Sequence, residues 1–394
     1  MTGIVIIGAG ESGVRAAFEL RQLGYGGEVT LIGEEASLPY ERPPLSKETG
    51  EPKPIRPASA YEEAGITCRF GMGVSGILPD QHRVVLETGG DLSYERLLIA
   101  TGARARVFPG IEKCLTLRTD RDAKAILAAI TPGARIGIIG GGFIGLELAS
   151  TARMRGAEVT VIEAGPRLLG RAVPEEIASV LTARHEAEGV QIKCGASVEC
   201  ADARHIRLAD GFDTTFDVVI AGVGASPNTQ LAEQAGLTVN NGIVVDSAFR
   251  TSDTDIYAAG DCCNFEWRGV RVRLESWRAA QDQGAHAAAA ILGATDTYGR
   301  VPWFWSDQYD LTLQLAGLFD MTRPVVKRET ADDQRIVFQC DGTGGLSAVA
   351  GIGTGNSVAK DIRIFEKLIE RGGPVEPEML ADPAQNLKRL LRAG

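Results

Sequence analysis

Two glycine clusters are the residues of this sequence best placed to do chemistry. Gly8, Gly10 and Gly13 follow the apolar run Gly3-Ile-Val-Ile-Ile7, and Gly140, Gly142 and Gly145 follow Arg135-Ile-Gly-Ile-Ile139. In a strand–turn–helix unit the first glycine permits a tight turn, the second lets the backbone approach a pyrophosphate, and the third lets helix and strand pack closely. The helix that follows offers free N–H groups and a positive dipole end to the phosphates. Ser12 stands inside the first cluster and Ile144 inside the second. An acid follows each cluster at the distance expected for binding a ribose: Glu34 lies 24 residues after Gly10, and Glu163 lies 21 after Gly142. A carboxylate at Glu163 would repel a 2′-phosphate, so the second site is expected to prefer NADH to NADPH. Arg167 and Arg171, just downstream, weaken that preference slightly.

These residues need elements to hold them. The stretches 14–23 and 146–155 read as helices, and Glu28-Val-Thr-Leu-Ile and Glu158-Val-Thr-Val-Ile read as the strands that close two βαβ units. Strands apolar on both faces fit parallel sheets covered by helices. The expected fold class is α/β, with two Rossmann-like dinucleotide-binding domains and a C-terminal α+β domain. A chain of 394 residues accommodates them. Hydrophobic residues at 44% and charged residues at 23% exclude a disordered chain. The net charge of −10 argues against a general nucleic-acid binder.

A third cluster says which nucleotide goes where. Thr254-Asp-Ile-Tyr-Ala-Ala-Gly-Asp261 reads as a strand ending in an acid, and Leu97-Leu-Ile-Ala-Thr-Gly102 as another strand ending in a small turn. With the two glycine motifs, these resemble the two-dinucleotide-binding flavoprotein reductases. Pro39-Tyr-Glu-Arg-Pro-Pro-Leu-Ser-Lys47 and Pro302-Trp-Phe-Trp-Ser-Asp-Gln308 narrow the resemblance. They are similar to the oxygenase-coupled NADH-dependent ferredoxin reductases, the putidaredoxin reductase, rubredoxin reductase and biphenyl dioxygenase reductase type. The resemblance covers essentially the whole chain.

The resemblance implies FAD in a discontinuous domain of residues 1–107 and 237–300, NADH in residues 108–236, and a C-terminal domain of residues 301–394. It implies FAD contacts at Gly13, Glu34, Arg42, Lys47, Val74, Thr101, Arg118, Asp261 and Trp277. NADH contacts are implied at Gly142, Ile144, Glu147, Glu163 and Gly224. It further implies that Lys47, balanced by Glu147, sits near the reactive edge of the flavin, and that Trp305 lies on the electron-acceptor side. Electrons would pass from NADH through FAD to a ferredoxin or rubredoxin feeding a monooxygenase or dioxygenase. The protein and cofactor need no nucleophile or general base for this, because the flavin carries the redox chemistry. An NADH oxidase, another NADH-dependent flavin reductase and a flavoprotein redox scaffold stand as alternatives.

Disulfide reduction needs a cysteine beside the flavin, where this chain has Pro43-Pro-Leu-Ser-Lys47. The seven cysteines, the pair Cys262-Cys263 among them, form no CxxC motif, and the four histidines are scattered without metal-ligand spacing. Structural roles are expected for His82, His185, His205 and His286. The N-terminus has no basic region and no run of 18 apolar residues occurs, so a cytoplasmic location without a membrane span is expected. The basic stretch Arg268 to Arg278 is the candidate docking face for an acidic iron–sulfur partner.

Overall fold

The computed structural model describes residues 3–47, 52–328 and 334–392. The chain divides into two compact units, one of residues 1–43, 52–104 and 225–300 and one of residues 44–51, 105–224 and 301–394.

The first unit is built on a seven-stranded sheet. Its central strand, Gly3–Ile7, pairs in parallel with Val29–Gly33 on one side and Asp91–Ile99 on the other. Ile66–Phe70 extends the parallel run, and Ile256–Ala258 joins Asp91–Ile99 in parallel. Arg83–Leu86 and Val74–Leu78 continue beyond Asp91–Ile99 as an antiparallel edge. All five residues of Gly3–Ile7 are buried, as a strand covered on both faces requires. The helix Glu11–Gln22 packs against the helix Trp277–Ile291 at very close range. Gly284 makes this possible, since a Cβ there would collide with the Ser12 carbonyl oxygen.

The second unit repeats the arrangement on a four-stranded parallel sheet. Arg135–Ile139 lies between Glu158–Glu163 and Val218–Ala221, and Gln191–Cys194 forms the far edge. A five-stranded antiparallel sheet follows, in the order Trp303–Gln308, Leu311–Gly317, Leu346–Thr354, Gln334–Cys340, Val326–Arg328. Its strands alternate between two cores. Leu313, Val337, Ala350 and Ile352 pack with the residues of the parallel sheet and its helices. Ile336, Phe338 and Val349 face the helix Ala359–Arg371 through Ile362, Phe365 and Ile369. The glycine-rich stretch before residue 355 forms the strand Leu346–Thr354, where a Cβ on Gly351 would crowd Ile362. Among the described residues no helix is long and apolar enough to cross a membrane.

Candidate functional site: two glycine turns and a buried carboxylate

The glycines of the two turns behave alike. Gly8 and Gly140 have φ of +109° and +108°, and a Cβ on either would collide with a carbonyl oxygen, of Ala100 and Gly222 respectively. A Cβ on Gly13 would collide with the Gly8 oxygen, and one on Gly145 with the Gly140 oxygen. Only glycine fits these four positions without moving backbone. Gly10 and Gly142 are different: a Cβ on either would meet nothing within 4 Å. Each is the N-cap of its helix, Glu11–Gln22 or Phe143–Met154, and neither helix has a capping side chain. Open space in front of an uncapped helix N-terminus fits a dinucleotide pyrophosphate at both turns. In the first turn the buried Ser12 hydroxyl also lacks a hydrogen-bond partner.

Parallel pairing gathers the other expected residues at the carboxyl edges of the sheets, where open α/β folds bind ligands. In the first unit Gly8, Glu34, Thr101 and Asp261 all follow the ends of parallel strands. Glu34 is exposed. Thr101 is tied locally, its Oγ1 donating to the Asn228 carbonyl at 2.8 Å and its carbonyl accepting from Asn228 Nδ2 at 2.9 Å. Arg42 pairs with Glu35 at 2.8 Å and lies over the Tyr40 ring, and the Tyr40 hydroxyl donates to Glu35 at 2.5 Å. Val74 opens the edge strand Val74–Leu78, and Trp277 opens the helix Trp277–Ile291, capped by Ser276.

In the second unit Gly140, Glu163 and Gly224 share the carboxyl edge of the four-stranded sheet. Glu163 is clamped: one carboxylate oxygen accepts from the Gly141 N–H at 2.7 Å, the other from the Gly165 N–H at 2.6 Å. Ile144 stands in the first helical turn with 45% of its surface exposed, an apolar side chain facing out beside the turn. Arg167 is consumed by the carbonyls of Leu168 and Val173, at 3.2 and 3.0 Å, while Arg171 is exposed. Arg118 also belongs to this unit, just ahead of the helix Asp120–Ala129, where its N–H donates to Asp122 at 3.0 Å.

A charge cluster in the same unit holds Lys47, Glu147 and Trp305. Lys47 Nζ pairs with Asp307 Oδ2 at 2.9 Å and lies 5.9 Å from the centre of the Trp305 ring. Burial alone would raise the Asp307 carboxyl, but hydrogen bonds from Lys47, Thr312 and Trp305 outweigh it and lower its pKa. Trp305 stacks on Trp303 at 5.5 Å, and Phe304 lies 4.4 Å from Phe143. Glu147 is almost wholly buried. Its oxygens accept from the hydroxyls of Ser46 and, at 2.6 Å, Ser306. Burial raises the Glu147 pKa despite the opposing charge of Lys47 and those two hydroxyls.

Sequence reasoning singled out Lys47 and Glu147 but missed the groups that bind them. Asp307, Ser306 and Ser46 all lie inside motifs already quoted, so polar residues beside the expected ones were the available signal. It missed the pairing of Tyr40 and Arg42 on Glu35, which adjoins Glu34. The basic stretch is less free than its composition suggests. The Arg273 side chain is 8% exposed, paired with Glu275 at 2.6 Å and donating to the Asp261 carbonyl at 3.3 Å. Arg271, exposed, reaches the Asn264 carbonyl at 3.2 Å. Cys262 and Cys263 are fully buried thiols whose pKa values burial raises.

Comparison with known proteins agrees with this geometry. Residues 2–284 match the family described as pyridine nucleotide-disulphide oxidoreductase, and residues 303–391 match the family described as reductase C-terminal. The chain is 40% identical to the ferredoxin–NAD(+) reductase component of the anthranilate 1,2-dioxygenase system of Burkholderia cepacia, over 98% of both proteins. It is 37% identical to the corresponding component of the p-cumate 2,3-dioxygenase system of Pseudomonas putida, over 98% of this chain and 97% of the relative. Among solved structures it resembles the covalent putidaredoxin reductase–putidaredoxin complex, with a TM-score of 0.93, 33% identity, and coverage of 100% of this chain and 98% of the other.

Proposed function

The chain belongs to the pyridine nucleotide-disulphide oxidoreductase family, and on that premise we propose that it is an NADH-dependent ferredoxin reductase. It takes electrons from NADH through FAD to a small iron–sulfur protein, a ferredoxin or rubredoxin, which supplies a monooxygenase or dioxygenase. One observation carries this reading: two open glycine cradles occur in a chain that matches ferredoxin–NAD(+) reductase components over 98% of its length. In our assignment FAD takes residues 1–107 and 237–300, NADH takes residues 108–236, and residues 301–394 form the C-terminal domain.

FAD, when bound, supplies the conversion between two-electron and one-electron transfer. The chain's own residues bind, orient and select. Gly8, Gly10 and Gly13 admit the FAD pyrophosphate, with the Ser12 hydroxyl available to it. Glu34, Arg42, Val74, Thr101, Arg118, Asp261 and Trp277 are the proposed further FAD contacts. Gly140, Gly142 and Gly145 admit the NADH pyrophosphate, with Ile144 and Gly224 as neighbouring contacts. Glu163, fixed by two backbone N–H groups, presents its carboxylate to a ribose and repels a 2′-phosphate. Lys47 is held by Asp307, and Glu147, whose pKa burial raises, lies buried in the same cluster, bonded to Ser46 and Ser306. Trp305 offers an indole beside Lys47. We assign the protein to the cytoplasm, a reading that its free thiols support.

The test is reconstitution. The purified protein is expected to be yellow with one FAD per chain, and to reduce cytochrome c with NADH only when a ferredoxin is added. Rapid cytochrome c reduction without ferredoxin, or oxygen consumption that ferredoxin does not divert, would favour an oxidase instead. Absence of flavin after reconstitution would remove the reading altogether.

A further inference from the structure

A line of hydrogen bonds leads from Glu147 to a histidine that the proposed reaction does not use. Ser306 Oγ donates to Glu147 Oε1 at 2.6 Å. Gln308 Nε2 donates to Ser306 Oγ at 3.1 Å. His185 Nε2 lies 2.8 Å from Gln308 Oε1, and the Tyr309 hydroxyl lies 3.2 Å from His185 Nδ1. Ser306, Gln308 and His185 are each at most 1% exposed, so the links among these three are shielded from solvent.

The direction of every link follows from the first. In its ionised form Glu147 only accepts, and Ser306 then spends its single hydrogen on it. Toward Gln308 the Ser306 oxygen then has only lone pairs, and Gln308 must present its NH₂ group. That turns Gln308 Oε1 toward His185, which must donate from Nε2. A neutral imidazole then has Nδ1 as its acceptor, and Tyr309 must donate to it. Burial favours this neutral imidazole by lowering the His185 pKa. Reading the line backwards, His185 protonated at Nε2 holds Gln308 in the one orientation that leaves the Ser306 hydrogen to Glu147.

We propose that His185 is a positioning residue for the Glu147 carboxylate, acting through Gln308 to aim the Ser306 hydroxyl at it. The line is anchored twice to the helix Phe143–Met154. Glu147 is one end, and Ser150, three residues on, accepts from the Tyr309 N–H at 2.8 Å. The helix Glu175–Ala187 contributes His185. The charged groups facing the line are Lys47 and Asp307 at the Glu147 end, and Arg153, Arg184, Glu188 and Asp310 at the His185–Tyr309 end. The inference goes beyond the proposed reaction and does not depend on which electron acceptor the protein serves.

The measurement is the ionisation of Glu147 itself. In the holoenzyme its carboxyl infrared band is assigned by its loss in Glu147→Gln and then followed with pH. Losing a hydrogen bond to the charged form raises a carboxyl pKa, so His185→Phe should move the titration upward by about one unit. Tyr309→Phe, which deletes one hydroxyl and leaves the ring, should move it upward by less. His185→Gln, whose amide can donate toward Gln308, should restore the wild-type titration. Nitrogen-15 NMR of the wild type should show His185 protonated at Nε2. A His185 protonated at Nδ1 would overturn the proposal, and so would an unchanged Glu147 titration in folded His185→Phe or, if that variant does not fold, in Tyr309→Phe.

Discussion

In the first glycine turn Ala9 lies opposite Gly33, and a Cβ on Gly33 would come within 2.8 Å of it. In the second turn Gly141 lies opposite Glu163, and a Cβ on Gly141 would come within 3.2 Å of the Glu163 Cβ. Gly33 and Glu163 hold the same place in their sheets, each directly after the residue whose carbonyl binds the first glycine of the turn. Gly8 donates to Ile32 and Gly140 to Ile162, both at 2.8 Å. The two turns have exchanged size across this contact, and at Gly141 the Leu168 side chain, 2.4 Å from such a Cβ, also keeps the turn bare. Where the turn keeps a side chain, the strand end gives up its own, and the acid moves one residue on to the exposed Glu34. Where the turn is bare, the acid sits on the strand end and the Gly141 and Gly165 amides hold it. Equal motifs thus present their carboxylates differently, one loosely and one fixed.

The largest effects should come from what the turns share. Gly13→Ala and Gly145→Ala each drive a methyl into a backbone oxygen and should cost about 1–3 kcal/mol of stability. Their functional consequences should separate. Gly13→Ala should leave the protein largely colourless, whereas Gly145→Ala should keep its flavin, reducible by dithionite but only slowly by NADH. Loss of flavin in both would mean that the two turns do not serve separate ligands.

A second pair of variants addresses the difference. Glu163→Ala leaves two backbone N–H groups without their acceptor and should destabilise by roughly 1–3 kcal/mol, while raising NADPH use relative to NADH about tenfold. Glu34→Ala should weaken FAD retention with a change in thermal stability within about 0.5 kcal/mol, because its side chain is exposed. Equal losses of stability would erase the distinction between a fixed and a loose carboxylate.

The smallest expected effect is a slope with pH. Burial raises the folded-state pKa of Glu147 above its ordinary 4.5, so the native chain holds that proton more tightly than the unfolded chain. Stability from this group is present below 4.5 and is lost as pH rises through the folded value. Glu147→Gln should flatten that part of the melting-temperature profile, measured by calorimetry across the acidic range. Glu34→Gln, on the exposed acid, should leave it unchanged.

The glycines were legible in sequence because each has one physical job, and spacing alone states it. The strands were legible because residues such as Ile4, Val5 and Ile6 are apolar on both faces. Glu34 and Glu163 looked equivalent because counting residues does not show strand register, and the bonds from Gly8 to Ile32 and from Gly140 to Ile162 were needed to separate them. The partners of Lys47 and Glu147 stayed hidden for a different reason: Asp307 and Ser306 lie about 260 and 159 residues away along the chain. Arg273 reads as surface charge in a basic run, yet its stem is buried and its head satisfies a carbonyl and Glu275. His185 showed nothing in sequence, since a hydrogen-bonded line has no spacing rule.

The uncapped helix starts at Gly10 and Gly142 have a consequence for exchange with solvent. Amides in the first turn of a helix lack an intrahelical acceptor, and here no side chain provides one in its place. In the ligand-free chain these few amides should exchange deuterium rapidly even though the strands behind them are among the best-buried segments of the sequence. Under the proposed function, a bound pyrophosphate would supply the missing acceptor and slow them without any refolding. The amides after Gly10 and those after Gly142 lie on separate peptides, so each turn carries its own built-in record of occupancy.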